Sequence, residues 1–184
     1  MKTKKCTNCG EVKSLEDFQK GKKNKDGLHS WCKKCKNEDI NKYRNTEEGF
    51  LKMRYSSILG RCSLDNRRCH FSYNEFITAF EKHKSIYGMR SAWGPGPDQL
   101  DQHLPITMIN EGNGQVGKPG SIIGAKRIVS NLSIDRLDSN RDYTLQNLIF
   151  IRIDENARKH KSSYEDCKIH MRLHEERFIK MKAI

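Results

Sequence analysis

Two cysteine knuckles constrain this chain more than any other feature. Cys6-Thr7-Asn8-Cys9 and Cys32-Lys33-Lys34-Cys35 are C-x-x-C pairs separated by 22 residues. A two-residue gap lets both sulfurs of a knuckle reach one ion at about 2.3 Å, and two knuckles close a tetrahedral shell of four thiolates. The spacing predicts one structural Zn²⁺ held by Cys6, Cys9, Cys32 and Cys35 in a small, irregular, zinc-ribbon-like module over residues 1–45. Gly10 after the first pair permits the tight turn, and nearby lysines lower the cost of thiolate charge. A redox C-x-x-C would not need two copies, and the spacing does not favour an iron–sulfur cluster. Trp31, beside Cys32, is expected to cover the metal rather than stack on a base.

Seven cysteines without a secretory signal argue for metal-bound thiolates over disulfides. The basic start MKTKK leads into the first knuckle rather than an apolar h-region, and no run of 18 apolar residues occurs. Neither a signal peptide nor a membrane span is expected, and the cytoplasm is the expected location. Thirty-five Lys and Arg against 23 Asp and Glu leave +12, which favours a polyanionic partner through phosphate neutralisation. Residues 1–45 carry 13 of those bases against six acids, as a docking arm would. Within it, Lys20 to Gly27 reads as a solvated loop that touches phosphates rather than bases. An apolar fraction of 35% allows only a modest core, as in a small domain tied to an even smaller braced one.

Residues 46–100 read as a helical connector. After Thr46, Leu51, Tyr55 and Ile58 share one helical face and Gly60 supplies a stop. A second helix announces itself by a capping box, Ser72 to Glu75, and a hydrophobic staple, Phe71 with Phe76. It is expected from Tyr73 to about Tyr87, ending at Gly88, with Phe76, Phe80 and Tyr87 facing the core. Cys62 and Cys69 have no partner knuckle, so they read as ordinary thiols, with a second metal on Cys62, Cys69 and His70 as the weaker alternative. Trp93 to Pro97 breaks regular structure. Gly112 to Gly117 satisfies G-x-G-x-x-G, but Pro119 and Gly120 stop a helix there and no βαβ spacing surrounds it, so residues 110–124 read as a glycine-rich turn.

From Ser133 to His160 the order is strand, polar loop, strand, helix. Leu132 and Ile134 mark the first strand, Leu148 to Ile151 the second, and Asp154 is expected to cap the helix that carries Asn156 and His160. Such a unit sets an acid on the first strand opposite a polar residue on the helix, so that Asp135 and Asn156 could grip one hard divalent cation by oxygen. Beyond it, Glu165 to Lys180 is helical in pattern with Ile169, Leu173 and Phe178 inward.

The pattern D-R-x-D, then S-N-x-x-Y-T-x-x-N, then N-x-x-K resembles the HNH, or ββα-metal, nucleases of the branch often found in phage genomes. The matching residues are Ser133 to Asp138, Tyr143-Thr144, Asn147, and Asn156 with Lys159. The cysteine module looks like the zinc-binding head that many such proteins carry, and Phe71 to Gly88 resembles the helix they place before the motif. Two departures stand out. The C-P-x-T-G segment that opens the hairpin in many relatives corresponds to His103-Leu104-Pro105-Ile106-Thr107, and the usual Lys-Gly before the tyrosine is Arg141-Asp142.

The resemblance implies an α+β fold with the cysteine module at 1–45, a nuclease core at 101–163 and a C-terminal helix at 164–184. It implies hydrolysis of duplex DNA, by nicking or cutting, with Mg²⁺ or Mn²⁺ on Asp135 and Asn156. Asn147 would tie the loop across the hairpin, Lys159 would touch a backbone phosphate, and Asp138 would support the site or cap the loop. Arg136 stands where the wider superfamily has a water-activating histidine. Since arginine accepts no proton, it would clamp phosphate, leaving Tyr143 or His160 to handle the water. The alternative is a zinc-braced DNA-binding protein whose nuclease fold has lost catalysis, as a regulator or packaging component.

Overall fold

A computed structural model describes residues 2–22, 24–93, 103–109, 128 and 130–159, with only the backbone of Arg158 and Lys159. The readings for 110–124, His160 and Glu165 to Lys180 lie outside the described residues. The chain divides into two units, Met1–Thr46 and Glu47–Ile184, mixing helices with small sheets.

The first unit is two short hairpins and a helix. Strands β1 (Thr3–Lys5) and β2 (Val12–Ser14) pair antiparallel, Thr3 with Ser14 and Lys5 with Val12. Their connection turns at Gly10, whose φ of 75° costs a residue without Cβ nothing, while the Gly10 N–H donates to the Cys6 carbonyl at 2.9 Å. Strand β3 (Phe18–Lys20) pairs with β4 (Leu28–Cys32), and α1 (Lys33–Arg44) starts where β4 ends. The core of this unit is Cys6, Phe18, Cys32 and Cys35, with Leu28 and Trp31 packed against it. Four sulfur-bearing or aromatic side chains bury too little area to offset chain entropy, so the unit depends on something that joins the sulfurs.

The second unit is built around α2 (Glu47–Leu64), α3 (Tyr73–Tyr87), the antiparallel hairpin β5 (Leu132–Arg136) and β6 (Leu148–Arg152), and α4 (Ile153–Lys159). Helix α3 matches its sequence signals. The Ser72 hydroxyl accepts from the Glu75 N–H, the Glu75 carboxylate accepts from the Ser72 N–H at 2.7 Å, and the rings of Phe71 and Phe76 stack 6.3 Å apart. Gly88, with φ of 59°, closes it.

Helix α2 departs from expectation, because it runs through Gly60 to Leu64. A glycine inside a helix costs only about 1 kcal/mol. Here Cys62 is buried in the core and Arg61 is anchored on β5, and these tertiary contacts carry the helix past the weak point. Asp154 also differs: it lies inside the first turn of α4, where its carboxylate forks onto the Arg152 guanidinium at 2.8 Å twice. The backbone N–H of Arg152 is taken instead by the buried Glu155, at 3.0 Å.

The apolar run of β6 is buried on both faces. Leu148 and Phe150 join Leu132 and Ile134 against Phe50, Ile58, Phe76 and Phe80, whereas Ile149 and Ile151 join Tyr87, Ala92 and Leu137. The free side of the hairpin is met by the segment at 105–107: the Leu132 N–H donates to the Thr107 carbonyl at 2.9 Å, and Arg90 bridges Pro105.

Candidate functional site

The Sγ atoms of Cys6, Cys9, Cys32 and Cys35 all lie within 4.8 Å of one another. A tetrahedron with metal–sulfur bonds near 2.3 Å has sulfur–sulfur edges of about 3.8 Å. The Cys6 and Cys35 sulfurs stand 3.9 Å apart. Two ligands come from the turn after β1, one from the end of β4 and one from the first turn of α1, so all three parts of the unit meet here. Burial pushes the Cys6 thiol up, but the backbone N–H groups of Cys32, Cys9 and Asn8 outweigh it and bring Cys6 to about 6. At Cys9 the Glu11 N–H favours the thiolate, yet desolvation and the crowding sulfurs of Cys6 and Cys35 push it up to about 12. Such crowded thiolate charge is what a cation relieves, and the donor set can hold a metal such as zinc. Trp31 packs against this cluster.

In the second unit the hairpin sorts its side chains by face. Directly opposed residues of an antiparallel pair point the same way. Ser133 opposes Ile151 and Asp135 opposes Ile149, so both belong to one face, while Arg136 opposes Leu148 on the other. Two residues apart on a strand, Ser133 and Asp135 are about 6.7 Å from each other along the same side. Asn156 comes to that side from α4, its Nδ2 donating to Ser133 Oγ at 2.9 Å. With the nitrogen end engaged, Asn156 Oδ1 is buried and has no hydrogen-bond partner among the described residues. An amide oxygen and the buried Asp135 carboxyl thus share one face, and oxygen donors of this kind suit a hard divalent cation. Ser133 is the residue that orients the amide. Its i, i+2 relation to Asp135 is the signal in the sequence that reveals it.

On the opposite face, Arg136 Nη1 donates to the Arg141 carbonyl at 3.0 Å and its guanidinium lies 4.8 Å from the centre of the Tyr143 ring. Tyr143 is buried, and burial pushes its phenol up despite the lowering influence of Arg61 and Arg136. Asn147 closes the loop. Its Nδ2 donates to the carbonyls of Asp138 and Asp142, both at 3.0 Å, and its Oδ1 accepts from the Asp138 N–H at 2.8 Å. Asp138 caps the Asn140 N–H and pairs with Arg141. Of Lys159 only the backbone is described, as the last residue of α4, and His160 lies outside the described residues.

The loop also meets the segment that precedes α3. The Tyr143 N–H donates to the Arg68 carbonyl, the His70 N–H to the Tyr143 carbonyl, and His70 Nε2 meets Asp142 Oδ2 at 2.9 Å. The hydrogen bond from His70 holds the Asp142 carboxyl below its ordinary range. This dyad and Arg61 were not found in the sequence, where they lie more than 70 residues from their partners. Cys62, Cys69 and His70 do not form a metal group: the Cys69 thiol donates to the Phe71 carbonyl at 3.5 Å, Cys62 is buried, and burial pushes both thiols up. Among the described residues, the four knuckle cysteines are the one cluster of three or more such ligands.

Comparison of the chain with protein-family models, curated proteins and solved structures finds no match. Among the described residues no helix is long and apolar enough to cross a membrane.

Proposed function

We propose that the chain is a metal-dependent endonuclease of the HNH, or ββα-metal, type that hydrolyses phosphodiester bonds of duplex DNA, with a zinc-braced module at its front. The observation that carries this reading is the Asn156 amide, turned by Ser133 so that its buried oxygen, on the face that bears Asp135, has no hydrogen-bond partner among the described residues. Asp135 and Asn156 would hold Mg²⁺ or Mn²⁺. The bound ion supplies a Lewis acid that stabilises charge gathering on the phosphate and leaving oxygen. Ser133 keeps the amide in its rotamer, and Asn147 keeps the loop in the shape that presents Arg136 and Tyr143. Arg136 holds DNA phosphate, because a guanidinium donates in a fork and accepts nothing. The net charge of +12 supports a polyanionic substrate. In the front module Zn²⁺ on the four cysteines has a structural role.

The test is cleavage of plasmid DNA by the zinc-loaded protein with Mg²⁺, Mn²⁺ or chelator. Nicks or breaks that need the metal are expected from the wild type and not from Asp135→Ala or Asn156→Ala. Undiminished cutting by both variants would refute the assignment. A second reading, a zinc-braced DNA binder without catalysis, is favoured by the absence of a proton acceptor at Arg136 and by the raised phenol of Tyr143. It predicts salt-sensitive binding and no product in any divalent metal.

A further inference from the structure

We propose that His29 and Lys36, on the first unit, form a notch that takes a phosphate group of the DNA backbone. This rests on the reading of the chain as one that handles duplex DNA. On β4, His29 turns its Nδ1 back on its own chain, where it accepts the backbone N–H of Trp31 at 3.1 Å. A backbone N–H can only donate, so Nδ1 carries no proton and the neutral ring holds its one proton on Nε2. That Nε2–H meets Lys36 Nζ, from α1, at 3.4 Å. An ammonium has three donors and no acceptor. Two donors therefore stand side by side, and neither can satisfy the other.

Among the described residues no carboxylate and no cysteine sulfur accepts from Lys36 or from His29 Nε2. Asp26 is taken by Lys4 at 2.6 Å and Glu11 by Lys13 at 2.8 Å, while Glu38 and Asp39, later on α1, pair with no cation. Both members of the notch are half-buried and keep part of their surface in water, and the exposed Lys33 lies one turn before Lys36 on the same side of the helix. Cys32 ends β4 and Cys35 precedes Lys36 in α1, so a metal on these sulfurs sets the spacing of the two donors. A shared acceptor resolves the conflict, and an anionic oxygen is reached by each donor at about 2.8 Å, which a pair 3.4 Å apart allows. The chemistry that fits is the phosphodiester: its free oxygens take several donors at once, and its single charge answers the one cation of the pair. The 13 bases against six acids over residues 1–45 draw such a polyanion to this unit. Neither side chain reads a base here, so the contact is independent of DNA sequence.

The experiment measures binding of a duplex oligonucleotide by the full-length, zinc-loaded protein across a salt series without added Mg²⁺ or Mn²⁺, together with the melting temperature. His29→Asn keeps an acceptor for the Trp31 N–H, because asparagine bonds the backbone two residues on, and removes only the Nε2 donor. It is expected to weaken binding to every duplex about tenfold with the salt slope unchanged. Lys36→Gln is expected to weaken binding and to reduce the slope of log K against log salt by about 0.9, the release of one counterion. Neither should lower the melting temperature, since each lifts the conflict between the donors. A lower melting temperature with the affinity and slope of the folded fraction unchanged marks a structural pair and overturns the proposal. Should Lys36→Gln not fold, an affinity of His29→Asn equal to wild type overturns it. Inorganic phosphate, read by NMR at the His29 Nε2–H, separates the two readings. A phosphate-induced shift in a wild type that binds no duplex overturns the DNA reading alone, salt-dependent duplex binding that both variants leave unchanged overturns the notch alone, and neither shift nor binding overturns both.

Discussion

Replacement of Asn147 by alanine probes the loop on which the second unit's site is hung. The side chain is 7% exposed and makes three hydrogen bonds, two from Nδ2 to the carbonyls of Asp138 and Asp142 and one to Oδ1 from the Asp138 N–H. A neutral hydrogen bond contributes about 1 kcal/mol net, and water can reach part of the loop, so Asn147→Ala should cost about 2–3 kcal/mol. For a chain of this size that lowers the melting temperature by about 4–12 °C. Asn147→Asp keeps the acceptor for Asp138 but sets a carboxylate against two carbonyl oxygens, and should be no better than alanine. Amide exchange read by NMR locates the effect, with protection at Asp138 falling in both variants and that of α1 unchanged. Under the proposed nuclease function, DNA cutting should fall with the loop and recover in part on cooling. A loss below about 0.5 kcal/mol with full protection at Asp138 would show that the loop holds its shape without this amide.

If the four cysteines hold a metal as proposed, its chelation should unfold the first unit, lowering helical signal and exchange protection across α1, because little else binds its parts together; an unchanged exchange pattern after verified metal removal contradicts this. The Asp142 carboxyl, held low by His70, contributes stability that is present above its ordinary value of 3.8 and lost as pH falls through the lower folded value. His70→Ala should therefore reduce stability at neutral pH and flatten the acid limb of the pH–stability curve, and an identical limb in the variant would count against the pairing. Tyr143→Phe keeps the ring beside Arg61 and Arg136, and since burial keeps the phenol protonated, the proposed DNA cutting should change less than about tenfold. A loss nearer a thousandfold would make the hydroxyl a participant.

What could be read in advance was local. The cap, staple and terminal glycine of α3 lie within 18 residues of one another, and the helix follows them to the residue. The knuckles needed only their spacing, because a tetrahedral ion leaves few arrangements for two C-x-x-C pairs. Gly60 misled because its signal is local while the forces on it are not: Arg61 and Cys62 are held by the hairpin and the core. Asp154 misled because capping depends on where the strand releases the chain, and β6 runs directly into α4. Arg61 and the His70–Asp142 pair were illegible for a further reason. Their partners are brought by the antiparallel register and by the parallel bridge of Cys69 with Tyr143, neither of which leaves a periodic trace in sequence.

The strict alternation along β5 makes the strand intolerant of single-residue insertion. One extra residue ahead of Ile134 would rotate every following side chain by half a turn, turning the carboxyl of Asp135 to the face of Leu148 and Phe150 and moving Ile134 out of that core to the face of Ser133. Two extra residues would restore the facing while shifting the acid along the strand, away from the amide on α4. Length variation among descendants of this chain should therefore collect in the loop between the strands and be purged from β5, with core and chemistry lost together in any frame that slips by one.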